Sequence, residues 1–351
     1  MLGRSVAGAG DLNADGHDDV IVGAQGFDAG QGLFEGAAFV YHGNPTTPVE
    51  VAYTNAYYFG DSLSDTGNIL VLSGGAQPSA PYFNGRFSDG PVWVEYLASG
   101  IGLQSSSVPS LLGGNNFAFG GALTSGGSVP SLLTQVGALT NPTGSLDANA
   151  LYVVVAGRND MRDARSTFST LDAPGAAGRL AAAQTAAGNI RTALQMLAAD
   201  GARNVLVANL PDLGHTPEAV GLGLVAPSSD ATAQFNAQFA SVLSFGTGLG
   251  LNMRFFDLAS LSAAIRTDAL SNGGATYGIT NVFTPCGSFQ GSVGIACSVS
   301  AFSDALHPTR VVHQLIGNAA VVVVPEPEAL PMLLLGLAAV CFATRQRRAA
   351  R

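Results

Sequence analysis

Residues 56–68 read AYYFGDSLSDTGN, an apolar run that enters a turn rich in glycine, aspartate and serine. The apolar part predicts a buried β-strand, and Gly-Asp-Ser is typical of a tight turn. A helix after that turn would place the Ser62 amide near its positive end and leave the Ser62 hydroxyl exposed, which suits a nucleophile. By itself the pattern is weak, because Gly-Asp-Ser also occurs in ordinary turns.

Two further apolar runs, LYVVVAG at residues 151–157 and NVLVANL at residues 204–210, have the unbroken hydrophobicity of strands buried on both faces of a parallel sheet. Between them, the alanine-rich stretch 178–199 predicts a crossover helix. A helix around residues 230–244 and a strand at 253–258 continue the alternation. This order predicts a three-layer α/β/α sandwich with its functional site at the carboxyl edge of the strands.

The composition excludes some classes of protein. The 351 residues carry a net charge of −9 and no lysine, so no basic stripe is available to bind nucleic acid. Three cysteines are too few for a disulfide scaffold or a thiolate metal site. Cys286 and Cys297 stand eleven residues apart, and this spacing leaves open whether they form a disulfide.

Near the N-terminus, residues 11–19 read DLNADGHDD and place oxygen-bearing side chains at the alternating positions that wrap a hard cation. We expect calcium there, and the predicted ligands are Asp11, Asn13, Asp15 and Asp19. An EF-hand is excluded, because Val22 occupies the place of its glutamate and a β-branched strand follows instead of a helix. The alternative is an aspartate-rich turn without metal.

Residues 3–43, which contain this loop, resemble one FG-GAP repeat of the integrin-type β-propeller. The resemblance implies a small β-rich blade that binds calcium, so we assign residues 1–43 to a partial repeat. One blade cannot close a propeller, because each repeat buries its faces against its neighbours. Residues 44–54 carry two prolines and predict a linker.

The C-terminal segment has three parts: Pro325-Glu326-Pro327, sixteen uncharged residues at 329–344, and a tail with four arginines. The uncharged part predicts a short transmembrane helix with its basic flank in the cytoplasm. A buried C-terminal helix is the alternative.

The layout of residues 319–351 resembles the PEP-CTERM sorting signal of Gram-negative bacteria. The resemblance implies a transient anchor in the inner membrane, cleavage by an exosortase-type enzyme, and release to the cell surface or the exterior. Because export needs a leader and the first residues show none, we expect the natural start to lie upstream of Met1.

A nucleophilic serine needs a base, and two of the five histidines have an acid three positions earlier. These pairs are Asp212 with His215 and Asp304 with His307. A spacing of three lets a carboxylate orient an imidazole, but it does not choose between the pairs.

Residues 55–318 resemble the GDSL family of SGNH hydrolases in five ordered blocks. The blocks are GDSLSDTGN at 60–68, NGRFSDGPVWVEYLA at 84–98, NFAFGGA at 116–122, GRND at 157–160 and DALHPT at 304–309. The resemblance implies a flavodoxin-like α/β/α fold and a serine esterase or lipase that needs no cofactor for catalysis.

Carried over residue by residue, the resemblance implies that Ser62 is the nucleophile, His307 the base and Asp304 the orienting acid. Gly121 and Asn159 become oxyanion donors. Gly121 is preferred to Gly120 because it stands five residues after the asparagine of its block. One departure from the family pattern is Arg158, which stands where a small residue is common.

The sequence therefore predicts an exported serine esterase or lipase that works through an acyl-enzyme on an ester of a lipid or an acylated carbohydrate. Two alternatives stay open. One is a calcium-dependent surface-binding protein with an idle hydrolase domain, and the other is an extracellular carbohydrate deacetylase.

Overall fold

The chain divides into two units, Met1–Val51 and Ala52–Arg351. The computed structural model describes residues 5–10, 19–24, 37–41, 53–140, 145–287 and 294–324. In the first unit, an antiparallel sheet has the strand order β1 (Ser5–Gly10), β2 (Asp19–Ala24) and β3 (Ala37–Tyr41). The predicted β-rich N-terminal unit is thus confirmed.

Four parallel strands form the main sheet of the second unit. In spatial order they are β4 (Ala56–Gly60), β5 (Leu151–Val155), β6 (Asn204–Ala208) and β7 (Asn252–Phe256). On the other side of β4, the Tyr58 N–H donates to the Asn115 carbonyl and the Phe117 N–H donates to the Tyr58 carbonyl. Residues 115–119 therefore extend the sheet beyond β4, which gives the strand order of flavodoxin-like folds.

Helices cover both faces of this sheet. They are α1 (Asn68–Leu72), α2 (Trp93–Gly100), α3 (Leu132–Thr140), α4 (Arg158–Thr167), α5 (Ala173–Ala199), α6 (Pro217–Gly221), α7 (Val225–Asn236), α8 (Phe239–Gly248), α9 (Leu258–Ser271) and α10 (Arg310–Val323). Tyr152 and Val154 of β5 pack with α3, α4, α5, α7 and α8, whereas Val153 and its alternate neighbours pack with α2, α9 and α10. Because both faces of β5 are buried, its sequence is apolar throughout. The predicted α/β/α sandwich is confirmed.

A two-stranded parallel sheet, β8 (Asn281–Pro285) and β9 (Ser300–Phe302), precedes α10. Cys286 and Cys297 form a disulfide between these strands, which decides the question that their spacing left open. The Cys286 N–H also donates to the Phe302 carbonyl. The end of β9, and with it the start of the next loop, is thereby fixed to β8.

Two helix boundaries differ from those predicted. The single helix expected around residues 230–244 is divided into α7 and α8, because the Gln238 N–H bonds the Phe235 carbonyl and tightens the turn between them. The crossover helix expected at residues 178–199 begins earlier, since α5 starts at Ala173, where Asp172 accepts the Gly175 N–H. Helix α10 ends at Val323, and Ala320 and Val324 are buried in the core.

In the described part of the chain, none of the helices combines the length and the apolarity that a membrane crossing needs. The transmembrane helix predicted at residues 329–344 lies outside the described residues.

Candidate active site

The turn after β4 carries Ser62 at the carboxyl edge of the main sheet. Asp61 shapes this turn, since its carbonyl accepts the Ser64 and Asp65 N–H groups and its Oδ1 accepts the Leu63 N–H. The prediction of an exposed hydroxyl was wrong, because only 4% of Ser62 is accessible. Helix α1 also begins only at Asn68, not directly after the serine.

Ser62, His307 and Asp304 lie in one hydrogen-bonded series, although the first two are 245 positions apart in the sequence. Ser62 Oγ is 2.8 Å from His307 Nε2, and His307 Nδ1 is 2.6 Å from Asp304 Oδ2. Because a carboxylate only accepts, Nδ1 carries the imidazole proton and Nε2 is left to accept the serine proton. The structure thus brings together the serine, histidine and aspartate that the sequence singled out.

Asp304 lies in the loop after β9, and several hydrogen bonds fix its carboxylate. Its Oδ1 accepts the N–H groups of Leu306 and His307, and its Oδ2 also accepts the Tyr82 hydroxyl at 2.5 Å. Burial raises the pKa of Asp304, but the hydrogen bonds and charge of His307 and the Tyr82 hydroxyl outweigh it and hold the pKa well below its usual range. Asp304 is therefore a carboxylate at neutral pH. Nothing in the sequence pattern indicated the Tyr82 contact.

Among the described residues, the backbone N–H groups of Ser62 and Gly121 have no hydrogen-bond acceptor, so both can donate to a bound oxygen. The neighbouring Gly120 N–H is already donated to Asp65 Oδ2 at 2.8 Å. A side chain on Gly120 would also meet the Phe87 ring at 2.3 Å. This geometry favours Gly121 over Gly120 as a donor, as the family spacing does.

Asn159 is the second residue of α4, and it directly follows Arg158, which contacts Ser62. Its Nδ2 donates to the Ala122 carbonyl at 2.9 Å, and its Oδ1 accepts from Arg162 at 3.2 Å. Glu218 holds Arg162 in turn. One N–H of the Asn159 amide remains for a ligand, since the amide has two.

Arg158 makes an unusual contact with Ser62. Its side chain is buried, and its Nη2 donates to Ser62 Oγ at 2.9 Å and lies 3.3 Å from Asp61 Oδ1. Burial lowers the pKa of Arg158 while the Asp61 charge raises it, and a guanidinium remains charged at neutral pH. The sequence showed that this residue departs from the family pattern but not that it reaches the serine.

An apolar cavity of about 120 Å³ is lined by Leu63, which follows Ser62 in the chain, and by Arg158, which contacts Ser62. Leu306 and side chains of α9 and α10 also line it. Asp212 and His215 also line it, but no hydrogen bond within the described residues joins either of them to Ser62. The cavity is large enough for a small apolar group, since an apolar cavity of about 150 Å³ holds benzene.

The predicted calcium ligands are placed only in part. Asp19 is the first residue of β2, and Asp11, Asn13 and Asp15 lie outside the described residues. Over the ranges that the structure describes, no group of three or more histidine, cysteine or acidic side chains could hold a metal ion.

Comparison with known proteins defines the class of this unit. Residues 57–320 match the GDSL-like lipase/acylhydrolase family. The fold and this match, which covers most of the chain, define a carboxylic ester hydrolase. The chain belongs to the GDSL-like lipase/acylhydrolase family. Outside this unit, residues 2–41 match the FG-GAP repeat, and residues 323–348 match the PEP-CTERM protein-sorting motif.

Curated relatives support this assignment. The phosphatidylcholine-sterol acyltransferase of Aeromonas hydrophila is 25% identical over 315 residues, which cover 77% of this chain and 89% of that protein. The thermolabile hemolysin of Vibrio parahaemolyticus is 26% identical over 280 residues, which cover 74% of this chain and 61% of the hemolysin. Esterase EstA of Pseudomonas aeruginosa is 28% identical over 334 residues, which cover 80% of this chain and 48% of EstA. The chain thus spans only about half the length of EstA.

Proposed function

We propose that the protein hydrolyses carboxylic esters through an acyl-enzyme, with Ser62 as nucleophile, His307 as base and Asp304 as the acid that orients His307. The observation that carries this proposal is the hydrogen-bonded series from Ser62 Oγ through His307 to Asp304, with links of 2.8 and 2.6 Å. A buried serine in contact with an imidazole whose second nitrogen is held by a carboxylate is the arrangement that activates a hydroxyl.

In the proposed reaction, His307 Nε2 takes the Ser62 proton as Oγ attacks the ester carbonyl carbon. The negative charge then develops on the carbonyl oxygen, where the Ser62 and Gly121 N–H groups and the Asn159 amide would donate hydrogen bonds. His307 gives its proton to the departing alcohol, and water hydrolyses the resulting acyl-enzyme. The Asp304 carboxylate stabilises the imidazolium that forms in both halves of the reaction.

The acyl group would lie in the apolar cavity that Leu63 and Leu306 help to line. Its volume of about 120 Å³ suits a short acyl chain, roughly four to six carbons by comparison with the cavity that holds benzene. We therefore favour short-chain esters, on either a lipid or an acylated carbohydrate. The acetyl group of an acetylated carbohydrate is also small enough for this cavity, which keeps the deacetylase hypothesis as a second candidate.

The outer segments suggest where the enzyme works. The match of residues 323–348 to a protein-sorting motif supports secretion or display at the surface of a Gram-negative bacterium. We propose transient anchoring in the inner membrane through residues 329–344 and cleavage by an exosortase-type enzyme. This assigns residues 319–351 to sorting, 55–318 to hydrolysis, 44–54 to a linker and 1–43 to the partial repeat.

The N-terminal repeat is proposed to bind calcium through Asp11, Asn13, Asp15 and Asp19. The match of residues 2–41 to the FG-GAP repeat supports this proposal, and so does the alternation of oxygen side chains. The hydrolytic steps proposed above use side chains and backbone groups alone.

The test of the proposed function is the hydrolysis of p-nitrophenyl esters, from acetate to palmitate, by the full chain and by its Ser62→Ala variant. We expect the wild type to prefer acyl chains up to about six carbons, because of the cavity volume, and the variant to lose the activity. Ser64→Ala is a matched control, since Ser64 lies in the same turn but its hydroxyl accepts from the Trp93 indole. Hydrolysis that survives in Ser62→Ala contradicts the proposal.

A further inference from the structure

Arg158 places a buried cation directly on the oxygen that we propose as nucleophile. Only 2% of Arg158 is accessible, and its Nη2 donates to Ser62 Oγ at 2.9 Å. Among the residues that the structure describes, its Nε has no hydrogen-bond partner. A buried polar nitrogen without a partner is costly, so a role in packing alone does not explain this side chain.

The charge of Arg158 is only partly compensated. Among the described residues, Asp61 is the one acidic side chain within ion-pair distance of Arg158. It lies 3.3 Å from a single nitrogen, and the same Asp61 oxygen also accepts the Leu63 N–H. Two parallel hydrogen bonds to a carboxylate, the usual geometry of a tightly paired guanidinium, are not made here. The same nitrogen, Nη2, contacts both Ser62 Oγ and Asp61 Oδ1 in a buried site, where solvent screens the charge of the guanidinium only weakly.

Ser62 Oγ is thus held between two nitrogens with opposite roles. His307 Nε2, at 2.8 Å, accepts the serine proton, and Arg158 Nη2 donates to the serine lone pair. A hydroxyl or alkoxide oxygen accepts a hydrogen bond well. The oxygen of an ester accepts poorly, because its lone pair is delocalised into the carbonyl.

We infer that Arg158 is a further catalytic residue, which speeds the second half of the reaction by favouring departure of Ser62 Oγ from the acyl-enzyme. The inference rests on the proposed function, because it needs Ser62 to be the residue that is acylated. The hydrogen bond from Arg158 is strong in the free enzyme, weak in the acyl-enzyme and regained as Oγ leaves. It therefore destabilises the acyl-enzyme relative to the free enzyme.

Deacylation consumes one water molecule and restores the free serine. Water attacks the carbonyl carbon of the ester that joins the acyl group to Ser62, and it gives one proton to His307 Nε2. The tetrahedral intermediate then breaks its C–Oγ bond, and the electron pair of that bond goes to Oγ. Arg158 stabilises the charge on Oγ while His307 returns the proton to it, and the carboxylic acid leaves.

Removal of the Arg158 side chain should affect the rate of acylation differently from the rate of deacylation. The starting state of acylation is the free serine, which Arg158 already stabilises, and the hydrogen bond competes for the electron pair that attacks the ester. Removal of the cation should therefore slow deacylation and leave acylation equal or slightly faster. This difference separates the proposed role from simple positioning of Ser62, whose loss would slow both halves.

The experiment measures the pre-steady-state release of p-nitrophenol from p-nitrophenyl acetate by wild type and by Arg158→Met. We expect the variant to show a burst close to one equivalent per enzyme, followed by turnover slower by roughly 10- to 100-fold, the effect of one hydrogen bond to a charged group. Since kcat/KM reports only the steps through acylation, kcat and KM should fall together and kcat/KM should change by less than about threefold.

Arg179→Met is the matched control, because Arg179 is equally buried but pairs with Asp230. It should show the wild-type burst. If Arg158→Met does not fold, the double variant Asp61→Asn, Arg158→Met removes the carboxylate that is left unpaired and is measured in its place. An equal loss of kcat and kcat/KM without a burst would overturn the inference, whereas hydrolysis by Ser62→Ala would instead refute the proposed function.

Discussion

Two segments of the molecule carry an aspartate three residues before a histidine, yet the two pairs differ in geometry. His307 Nδ1 is 2.6 Å from Asp304 Oδ2, and these side chains are 11% and 19% exposed. His215 Nε2 is 3.7 Å from Asp212 Oδ2, and these side chains are 44% and 35% exposed. The oxygens of Asp212 accept instead from the Gly214 N–H and the Ser229 hydroxyl.

The looser pair belongs to a segment that supports the tighter one. The Glu218 N–H, three residues after His215, donates to the Ala305 carbonyl at 2.8 Å, inside the loop that carries the tighter pair. The Glu218 carboxylate also holds Arg162, which donates to Asn159. Equal spacing in the sequence therefore leads to different roles, because the groups around each aspartate decide whether its oxygens are free to orient an imidazole.

Removing the two imidazoles in turn tests most directly whether the two pairs differ in function. His307→Ala should lower kcat for p-nitrophenyl acetate by roughly 10⁴- to 10⁶-fold, because the proposed base is lost. His215→Ala should change it by less than about threefold, because no hydrogen bond joins His215 to Ser62. The acetate ester is chosen because its acyl group is the smallest of the series and makes the fewest contacts with the cavity that His215 lines. Losses of equal size in the two variants would contradict our assignment of the base.

The two carboxylates give the next largest contrast. Asp304→Asn should lower kcat by about 10⁴-fold, since an amide in its place no longer fixes the imidazole tautomer. Asp212→Asn keeps an oxygen for the Gly214 N–H and should change kcat by less than about threefold. Steady-state kinetics with p-nitrophenyl acetate measures both. A large loss of kcat in Asp212→Asn but not in Asp304→Asn would contradict the assignment of Asp304 as the acid that orients the base.

A weaker effect, on stability, should show which groups hold the Asp304 carboxylate beside His307. Because its pKa is lowered, the Asp304 carboxylate stabilises the fold above its ordinary pKa of about 3.9, and this contribution is lost as the pH falls toward the lowered value. The difference in free energy of unfolding between wild type and Asp304→Asn, measured with urea, should thus shrink below about pH 4. Tyr82→Phe loses one hydrogen bond to the carboxylate, so the pKa of Asp304 in the folded state lies closer to its ordinary value; the decline should therefore be smaller and end at a higher pH. Identical pH profiles for wild type and Tyr82→Phe would contradict this role of Tyr82.

Much of the fold follows from local sequence. Continuous apolar runs predicted β5 and β6, because a strand buried on both faces has no polar alternation. The resemblance in five ordered blocks placed Ser62 and His307 in one family pattern, and the structure brings them into contact. The hydrogen bonds of Arg158 and Tyr82 could not be predicted, since they join residues 96 and 222 positions away in the chain.

Burial of Ser62 was missed for a related reason. The sequence around residue 62 shows a turn, but the side chains that cover the serine come from α4 and from the loop after β9. The edge segment 115–119 was also not predicted, because it pairs with β4 through backbone groups and its side chains show no strand pattern.

Ser62 and His307 are 245 positions apart in the sequence, so the ribosome makes them at different times. A chain is made from its N-terminus, so all four strands of the main sheet leave the ribosome before the histidine does. During that interval Ser62 lacks the base that we propose for it, so the growing chain should not cleave esters. If the proposed roles hold, the order of synthesis delays hydrolysis until the loop that carries His307 has been made.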